Sequence, residues 1–337
     1  MHKRRWIAGA AVVGIVVVAV VAAFVLPRAS NSTQPALKRV VINEAARTLL
    51  YLPLYHAVEK GCFKEAGLDV DIVTGGTATS SFAAMVSGEA DFALADPMYV
   101  PISREKGSRT KIIAQVVGRI AFWGLTKEPS VTEMSAATLS GKKIATHPRP
   151  MSGYTYTIAL IRKLGLKPDE DVEIIGSQPG TELGPLFNGQ ADFAITVEPN
   201  VSKAVAQGAH IVYSFPNALG DQVLSALMTQ EDLIAKDPKT VMAVAACIQR
   251  ALVDIRKDPK GSLTSATKRF AQVDQAVLRD AVQRLAAEDV FPRSVIVSEE
   301  SWNRAIQVRV DAGDLRVALP RDQGCDLRIM QEAAQRK

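Results

Sequence analysis

Hydrophobic and polar positions alternate along the chain in a way that predicts strands and helices in turn. Short apolar runs predict strands over residues 40–42, 68–73, 90–95, 112–117 and 122–126, and apolar residues at helical spacing predict helices over 52–60 and 80–86. The pattern then restarts, with predicted strands over 143–146, 172–175 and 191–197 and helices over 155–164 and 183–187. Repeated strand–helix units predict an α/β fold with an open, mostly parallel sheet flanked by helices.

Two stretches of the chain are nearly identical. Ser87 to Pro97 is Ser-Gly-Glu-Ala-Asp-Phe-Ala-Leu-Ala-Asp-Pro, and Asn188 to Pro199 is Asn-Gly-Gln-Ala-Asp-Phe-Ala-Ile-Thr-Val-Glu-Pro. In both, a predicted helix ends at a glycine and a buried strand leads to an acid, Asp96 or Glu198, that is followed closely or directly by proline. The repetition predicts two lobes of similar topology. Because ligands bind at the carboxyl ends of strands in such sheets, it also predicts a cleft between the lobes.

After about residue 230 the pattern becomes helical. Asp237 and Asp258 each precede a proline and are predicted N-caps, and apolar residues form one stripe over 241–255. Amphipathic patterns continue over 274–290 and 298–310, and we interpret these helices as packing elements that complete the first lobe. The predicted organisation is an N-terminal helix and linker over 1–35, a first lobe over 36–124 plus 222–337, and a second lobe over 125–221.

The N-terminal segment has the composition of a membrane-targeting helix. Residues 7–26 contain no charge and follow Lys3, Arg4 and Arg5. Twenty helical residues span about 30 Å, the thickness of a bilayer core, and the basic flank predicts a cytoplasmic N-terminus. We favour an uncleaved anchor, with a cleaved signal peptide as the alternative. The folded part is therefore predicted on the periplasmic or extracellular face, anchored to the membrane or secreted.

Charge and cysteine content narrow the classes of function. The net charge of +5 comes mostly from the leader, because the remaining chain has 36 basic and 35 acidic residues. Nothing in the folded part forms a basic stripe interleaved with aromatics, so no nucleic-acid partner is predicted. The three cysteines match no zinc spacing. Cys62 is interpreted as a small packed residue, and a bond between Cys247 and Cys325 stays open.

Several segments together resemble a known family. Leu-Pro-Leu-Tyr-His-Ala-Val-Glu-Lys-Gly-Cys-Phe-Lys-Glu-Ala-Gly-Leu-Asp-Val from Leu52 to Val70, the Gly75-Gly76 pair and both Ala-Asp-Phe-Ala segments resemble the nitrate/sulfonate/taurine and thiamine-precursor (NMT1/THI5-like, SsuA-type) solute-binding proteins of ABC importers. The resemblance covers roughly residues 38–260, and Cys62 stands where the family usually has an aromatic residue. It implies a type II periplasmic-binding fold, in which two α/β lobes close on a small solute for delivery to a membrane permease and its ATPase. We expect a monomer.

Two loops are candidate ligand contacts because each precedes a predicted helix. One contains Gly76, Thr77 and Ser80, and the other contains Ser152, Gly153, Tyr154 and Thr155. Backbone N–H groups and hydroxyls at a positive helix end suit an anionic or strongly polar group. The alternative is ordinary N-capping by Thr79 or Ser152.

The acids at the two strand exits indicate the opposite ligand charge. Asp96 and Glu198 would favour a cationic or N–H-rich ligand, although an acid at such a position can equally bind the hinge backbone. Tyr51 and Trp123, together with Tyr154 and Tyr99, are aromatic candidates for the cleft walls.

The sequence contains no motif for catalysis, so no catalytic residue, metal ligand or cofactor is predicted. The histidines of the folded part, His56, His147 and His210, have no acid or cysteine at a metal-binding spacing, and no Walker loop or Gly-x-Ser-x-Gly is present. We predict a non-enzymatic extracytoplasmic solute-binding protein for a heterocyclic, pyrimidine-like or sulfonate-like solute. The alternatives are a membrane-tethered ligand sensor and an enzyme of pyrimidine metabolism.

Overall fold

The computed structural model describes residues 36–336. The predicted anchor or signal helix over 1–35 lies outside the described residues. Within the part that is described, no helix combines the length and apolar character needed to cross a bilayer. Residues from Leu37 onward form one compact unit.

Ten strands form two five-stranded sheets. The first sheet has the order β2-β1-β3-β10-β4, and the second has the order β7-β6-β8-β5-β9. The strands of the first sheet are β1 (Lys38–Glu44), β2 (Leu68–Thr74), β3 (Phe92–Ala95), β4 (Thr110–Arg119) and β10 (Asp221–Gln230). Those of the second are β5 (Trp123–Thr126), β6 (Lys142–Thr146), β7 (Val172–Gly176), β8 (Phe193–Thr196) and β9 (His210–Ser214). The two sheets therefore share one topology, as the repeated segments predict.

Helices flank both sheets. Those before β10 are α1 (Leu52–Glu59), α2 (Cys62–Glu65), α3 (Ala78–Ser87), α4 (Tyr99–Arg104), α5 (Ala136–Leu139), α6 (Ser152–Lys163), α7 (Leu183–Phe187), α8 (Asn200–Ala206) and α9 (Phe215–Leu219), with a 3₁₀ turn over Leu49–Tyr51. Those after it are α10 (Glu231–Lys236), α11 (Pro238–Lys257), α12 (Pro259–Arg269), α13 (Gln275–Ala287), α14 (Glu299–Asp311), α15 (Arg321–Gly324) and α16 (Leu327–Gln335). The predicted α/β class is confirmed, and both sheets are mixed, because four strands of each run in one direction and β10 or β5 runs against them.

The chain changes sheet twice, and each crossing strand is antiparallel to its neighbours. β5 enters the second sheet antiparallel to β8 and β9, and β10 returns to the first sheet antiparallel to β3 and β4. The first crossing falls between Arg119 and Trp123, slightly before the predicted boundary at 124, because β5 already begins at Trp123. Below, the first lobe means residues 37–119 with 221–336, and the second lobe means residues 123–214.

The repeated Ala-Asp-Phe segments set strand register. Asp91 Oδ2 accepts from the N–H of Val41 at 2.7 Å, and Asp192 Oδ2 accepts from the N–H of Lys143 at 2.9 Å. Each aspartate therefore fixes a buried strand, β3 or β8, against the neighbouring parallel strand of its own sheet, β1 or β6. The glycines that precede them adopt left-handed conformations, with φ of 84° at Gly88 and 74° at Gly189.

The C-terminal helices pack largely as predicted. Asp237 and Asp258 cap α11 and α12 through side-chain bonds to the N–H groups of Thr240 and Gly261. The apolar stripe of α11 is buried, and this helix packs on α1, α12, β4 and α16. The interpretation of Cys62 as an unbonded packed residue is wrong. Its sulfur is bonded to Cys247 of α11 with a Cα–Cα distance of 5.6 Å, while Cys325 is free and buried.

Candidate functional site

A cavity of about 430 Å³ lies between the two lobes. It opens at the carboxyl ends of parallel strands from both sheets, because residues that end or follow β1, β2, β3, β6 and β8 form its walls. First-lobe wall residues are Ala45, Ala46, Arg47, Thr48, Leu50, Tyr51, Thr74, Gly76, Ala78, Asp96, Leu224, Ser225, Phe270, Gln272 and Val273. Those of the crossing and the second lobe are Phe122, His147, Met151, Ser152, Pro179, Gly180, Val197, Glu198, Pro199, Asn200 and Lys203.

Five of the predicted site residues line this cavity. They are Tyr51, Gly76, Asp96, Ser152 and Glu198. They come from both lobes and from separate elements, so the fold brings together residues that are far apart in sequence. The other six, Thr77, Ser80, Trp123, Gly153, Tyr154 and Thr155, are not among its wall residues.

The first predicted loop mainly caps a helix. Thr77 is the N-cap of α3, and its Oγ1 accepts from the N–H of Ser80 at 3.0 Å, so the capping residue is Thr77 and not Thr79. Ser80 is exposed and its hydroxyl contacts Thr77 at 2.9 Å. Of this loop only Gly76, in the left-handed conformation, reaches the cavity wall.

The second predicted loop divides between the cavity and the lobe interface. Ser152 lines the cavity but does not cap α6, whose N-cap is Met151. Gly153 allows close packing, because a Cβ there would lie 2.9 Å from His147 Nδ1. The Arg149 guanidinium lies over the ring of Tyr154, with its Cζ 5.8 Å from the ring centroid. Thr155 is buried and faces the first lobe.

Trp123 supports the crossing between the sheets and is not a cavity wall. Its indole Nε1 donates to Glu288, which follows α13, at 3.0 and 3.1 Å, and the Ser214 hydroxyl of β9 donates to the same carboxylate. The preceding residue, Phe122, is the aromatic that lines the cavity. The side chains of successive residues in extended backbone point to opposite sides, which explains the one-residue difference from the prediction.

Asp96 already has a cationic partner within the protein. Arg309 of α14 forms an ion pair with Asp96 Oδ2, and Ser152 Oγ donates to the same oxygen at 2.5 Å. Asp96 Oδ1 accepts from the N–H of Met98 at 2.9 Å. The expected ammonium of a ligand is thus replaced by the guanidinium of Arg309.

Glu198 is satisfied in the same way. Its carboxylate is fully buried and accepts from Arg284 Nε at 2.9 Å, from Ser202 Oγ at 2.8 Å and from the N–H of Ser202 at 3.0 Å. Burial raises the pKa of Glu198, although the bonds from Ser202 and the charge of Arg284 act in the opposite direction. The Thr48 hydroxyl of the first lobe donates to the Glu198 carbonyl at 3.0 Å.

A third strand-exit acid, Glu44, was missed by the sequence prediction. It ends β1, is fully buried, and accepts from the hydroxyls of Tyr55 at 2.5 Å and Thr74 at 2.8 Å. Arg269 of α12 lies 3.6 Å from it and Arg47 lies 3.8 Å from it. The three acids Glu44, Asp96 and Glu198 are therefore matched by arginines from three successive helices, α12, α14 and α13, which we had interpreted only as packing elements.

A buried histidine–glutamate pair forms part of the second-lobe wall. His147 Nε2 lies 2.7 Å from Glu182 Oε1, and Glu182 also accepts from the N–H of Gly180, from Thr196 and from Asn200. Burial alone would raise the pKa of Glu182, but the bond from His147 and the neighbouring N–H groups lower it overall. Nδ1 of His147 lies close to Gly153, where a Cβ would be 2.9 Å from it.

The positively charged side chains on the cavity wall have fewer charge partners within the protein than the acidic side chains have. Within residues 36–336, Lys203 Nζ of α8 has no hydrogen-bond or ion-pair partner. Arg47 shares the single carboxylate of Glu44 with Arg269, at distances that exceed a hydrogen bond. Apolar side chains including Leu50, Phe122 and Phe270 cover much of the remaining wall. The arrangement suits a small organic molecule that carries negative charge.

Comparison with known proteins identifies relatives with this architecture. The family model described as NMT1/THI5 like matches residues 50–262. The putative binding protein YtlA of Bacillus subtilis is 22% identical over 318 residues, which are 92% of this chain and 94% of YtlA. A putative binding protein of Brucella abortus is 28% identical over 260 residues, which are 73% of this chain and 76% of that protein.

Solved structures share the fold at low sequence identity. The aliphatic sulphonate binding protein SsuA of Escherichia coli is 16% identical with a TM-score of 0.69, covering 86% of this chain and 92% of SsuA. The nitrate-binding protein NrtA of Synechocystis PCC 6803 is 16% identical with a TM-score of 0.70, covering 89% of each chain. The desulfurization enzyme DszB, solved with biphenyl-2-sulfinic acid, is 14% identical with a TM-score of 0.67, covering 89% of this chain and 99% of DszB. These similarities confirm the two-lobed periplasmic-binding fold.

Proposed function

Because this chain belongs to the NMT1/THI5-like family, we propose that it is an extracytoplasmic solute-binding protein that captures a small organic anion between its two lobes for an ABC importer. One observation supports a negatively charged ligand. Each of the three strand-exit acids is paired with an arginine, whereas Lys203 has no partner among residues 36–336. An anionic group of the solute would supply the missing charge. Among the solutes that the sequence predicts, this charge favours a sulfonate-like solute over a cationic one.

The location outside the cytoplasm is supported by the bond between Cys62 and Cys247, since structural disulfides persist in oxidising compartments. Delivery to a permease and its ATPase follows from the family and from the two-lobed fold. Membrane attachment through residues 1–35 and a monomeric state remain part of the same proposal.

Solute capture is proposed to close the cavity between the lobes. A solute that contacts both Lys203 of the second lobe and Arg47 of the first binds the closed form better than an open form, and so shifts the population toward closure. The chain crosses between the lobes only twice, near Arg119–Trp123 and Ser214–Asp221, and these short segments are the candidate hinges.

An enzymatic function is the second candidate, because the desulfurization enzyme DszB has this fold and because His147 and Glu182 form a buried pair at the cavity wall. The geometry favours binding over catalysis. His147 Nε2 contacts Glu182, His147 Nδ1 packs against Gly153, and no cysteine is among the wall residues of the cavity. A general base must reach the proton that it abstracts, and Nε2 of His147 already lies 2.7 Å from the Glu182 carboxylate.

Identification of the bound molecule tests the proposal. The full-length chain is isolated from its native cells without added solute and denatured, and the small molecules released are identified by mass spectrometry. We expect one small organic anion that co-purifies with the protein in near-equimolar amount and is unaltered on incubation. Release of a cation would contradict the assigned ligand charge, and conversion of the molecule on incubation with fresh protein would favour the enzyme.

A further inference from the structure

We propose that Arg309 is a positioning residue that holds the two lobes together at the cavity edge before any solute arrives. This inference rests on the proposed function only in that the cavity is taken as the place of solute binding. Arg309 lies on α14 of the first lobe, 154 to 159 residues after the second-lobe groups it contacts, and its side chain is only 3% exposed.

Arg309 donates to both lobes at once. In the first lobe it pairs with Asp96 and with Asp314 Oδ2 at 3.0 Å. In the second lobe it donates to Thr155 Oγ1 at 2.6 Å, to Ser152 Oγ at 3.2 Å and to the Pro150 carbonyl at 3.2 Å. The planar guanidinium thus joins a first-lobe acid pair to the first turn of α6.

The second lobe also contacts the first-lobe acids directly. Ser152 Oγ donates to Asp96 Oδ2 at 2.5 Å, and Thr155 Oγ1 lies 3.2 Å from Asp314 Oδ2. Further along the same interface, Arg162 of α6 donates to the Asp311 carbonyl at 3.0 Å, and Arg149 donates to the Ala312 carbonyl at 3.3 Å. These bonds come from the segment before α6 and from both ends of α6, and they place it against the C-terminal end of α14.

Separation of the lobes would be unfavourable at this point for a physical reason. An arginine stays charged at any physiological pH, and a buried guanidinium needs acceptors for its N–H groups. Three of the five acceptors of Arg309 belong to the second lobe, so opening removes them together. All five acceptors of Arg309 are protein groups, so this network can form without a ligand.

Part of the cavity wall is therefore formed before the solute binds. Asp96 and Ser152 both line the cavity, and their mutual bond is fixed from behind by Arg309. A solute then meets one fixed arrangement of these two groups instead of ordering two mobile surfaces, which lowers the entropic cost of binding. Arg309 acts through Asp96 and Ser152 and is not itself a cavity wall residue.

The test removes only the two second-lobe hydroxyls of the network. In the double variant Ser152→Ala and Thr155→Val, Arg309 keeps both of its carboxylate partners, so no buried charge is left unpaired. The matched control is Thr157→Val, which lies on the same helix and is buried, but whose hydroxyl bonds to Gly153 and Thr146 within the second lobe. Backbone hydrogen exchange is followed by mass spectrometry in the full-length chain without solute.

We expect exchange to become at least tenfold faster in peptides over 151–158 and 308–315 of the double variant, and to stay unchanged over 241–255 of α11. Thr157→Val should leave 308–315 as in the natural protein. Arg309→Lys, which keeps the charge but cannot form the forked contacts, should give intermediate acceleration. Unchanged exchange in the double variant, or acceleration of equal size in α11, would overturn the proposal. The experiment needs no ligand, so its result is independent of whether the solute is an anion.

Discussion

Arg284 of α13 donates to Glu198 at 2.9 Å, so a helix of the first lobe carries the charge partner of an acid that ends a strand of the second lobe. Glu198 also bonds the N–H and hydroxyl of Ser202 within its own lobe. The carboxylate therefore fixes the first turn of α8 and links it to the other lobe. Three protein donors, one of them charged, bind this carboxylate, so its role is structural and it needs no ligand cation to neutralise it.

Glu198→Gln should consequently lower the melting temperature of the ligand-free protein. The amide would replace one acceptor oxygen by a donor group that faces Arg284, and loss of a largely buried charged bond costs about 1–3 kcal/mol. Thermal unfolding monitored by circular dichroism measures the change. Glu332→Gln, which removes an exposed partner of Arg328, is the matched control and should change stability by less than about 0.5 kcal/mol. Equal melting of both variants and the natural protein would show that the Arg284–Glu198 pair is dispensable.

Lys203→Met should weaken binding of an anionic solute and leave the ligand-free protein as stable as before. Lys203 Nζ has no partner among the residues described, so its removal breaks no internal bond. We expect at least a tenfold loss of affinity, about 1.4 kcal/mol, measured by titration calorimetry with the solute that the natural protein carries. The exposed Lys163→Met serves as the control. A loss of the same size in both variants would indicate a general charge effect and not a contact.

Thiol titration should find one reactive thiol per chain in denaturant without reductant, and three after reduction. Cys62 is bonded to Cys247 across 185 residues, and only Cys325 is free. The variant Cys62→Ala and Cys247→Ala should lose about 2–5 kcal/mol of stability in urea unfolding, because the bond restricts the unfolded chain. Three reactive thiols in unreduced protein would show that the bond does not form in the cell.

Stability should fall as the pH drops below about 6.5 because of His56. Burial lowers the pKa of His56 in the folded protein, so the unfolded chain binds a proton first as the pH falls. Its contribution is complete above the unfolded pKa and is lost as the pH falls toward the lowered folded value. Urea midpoints at pH 8 and pH 5 should converge in His56→Gln, which can still bond Ser265, the partner of Nδ1 at 3.0 Å. An unchanged difference between the two midpoints would assign the pH dependence to another group.

Local pattern was sufficient to predict most of the fold. The strand leading to Asp96 and the one leading to Glu198 were both found, because period-two and helical spacings are local and the glycine caps mark their ends. β9 and β10 were missed, and in β10 the buried polar residues Gln222, Ser225 and Thr229 interrupt the apolar pattern. Asp91 and Asp192 each set strand register within their own lobe, which explains why the segment occurs twice.

The candidate site was predicted less completely than the fold, because the residues that pair there lie far apart along the chain. Asp96 and Glu198 were placed correctly on the cavity wall, but their partners lie 213 and 86 residues later, at Arg309 and Arg284. No spacing rule relates residues so far apart, so the sequence indicated unpaired acids and a cationic ligand. Lys203 gave no signal because a lysine on a short helix is most often a solvated surface residue.

The most direct test of the central claim compares small solutes that differ in charge. Melting temperatures of the full-length protein and of Lys203→Met are measured with ethanesulfonate, propionate, uracil, ethanolamine and ethylamine, each over a range of concentrations, since a ligand at 100 times its dissociation constant adds about 2.7 kcal/mol of stability. The account predicts that anions stabilise the natural protein, that Lys203→Met loses this response, and that the amines stabilise neither. Stabilisation by the amines, retained in Lys203→Met, would contradict it.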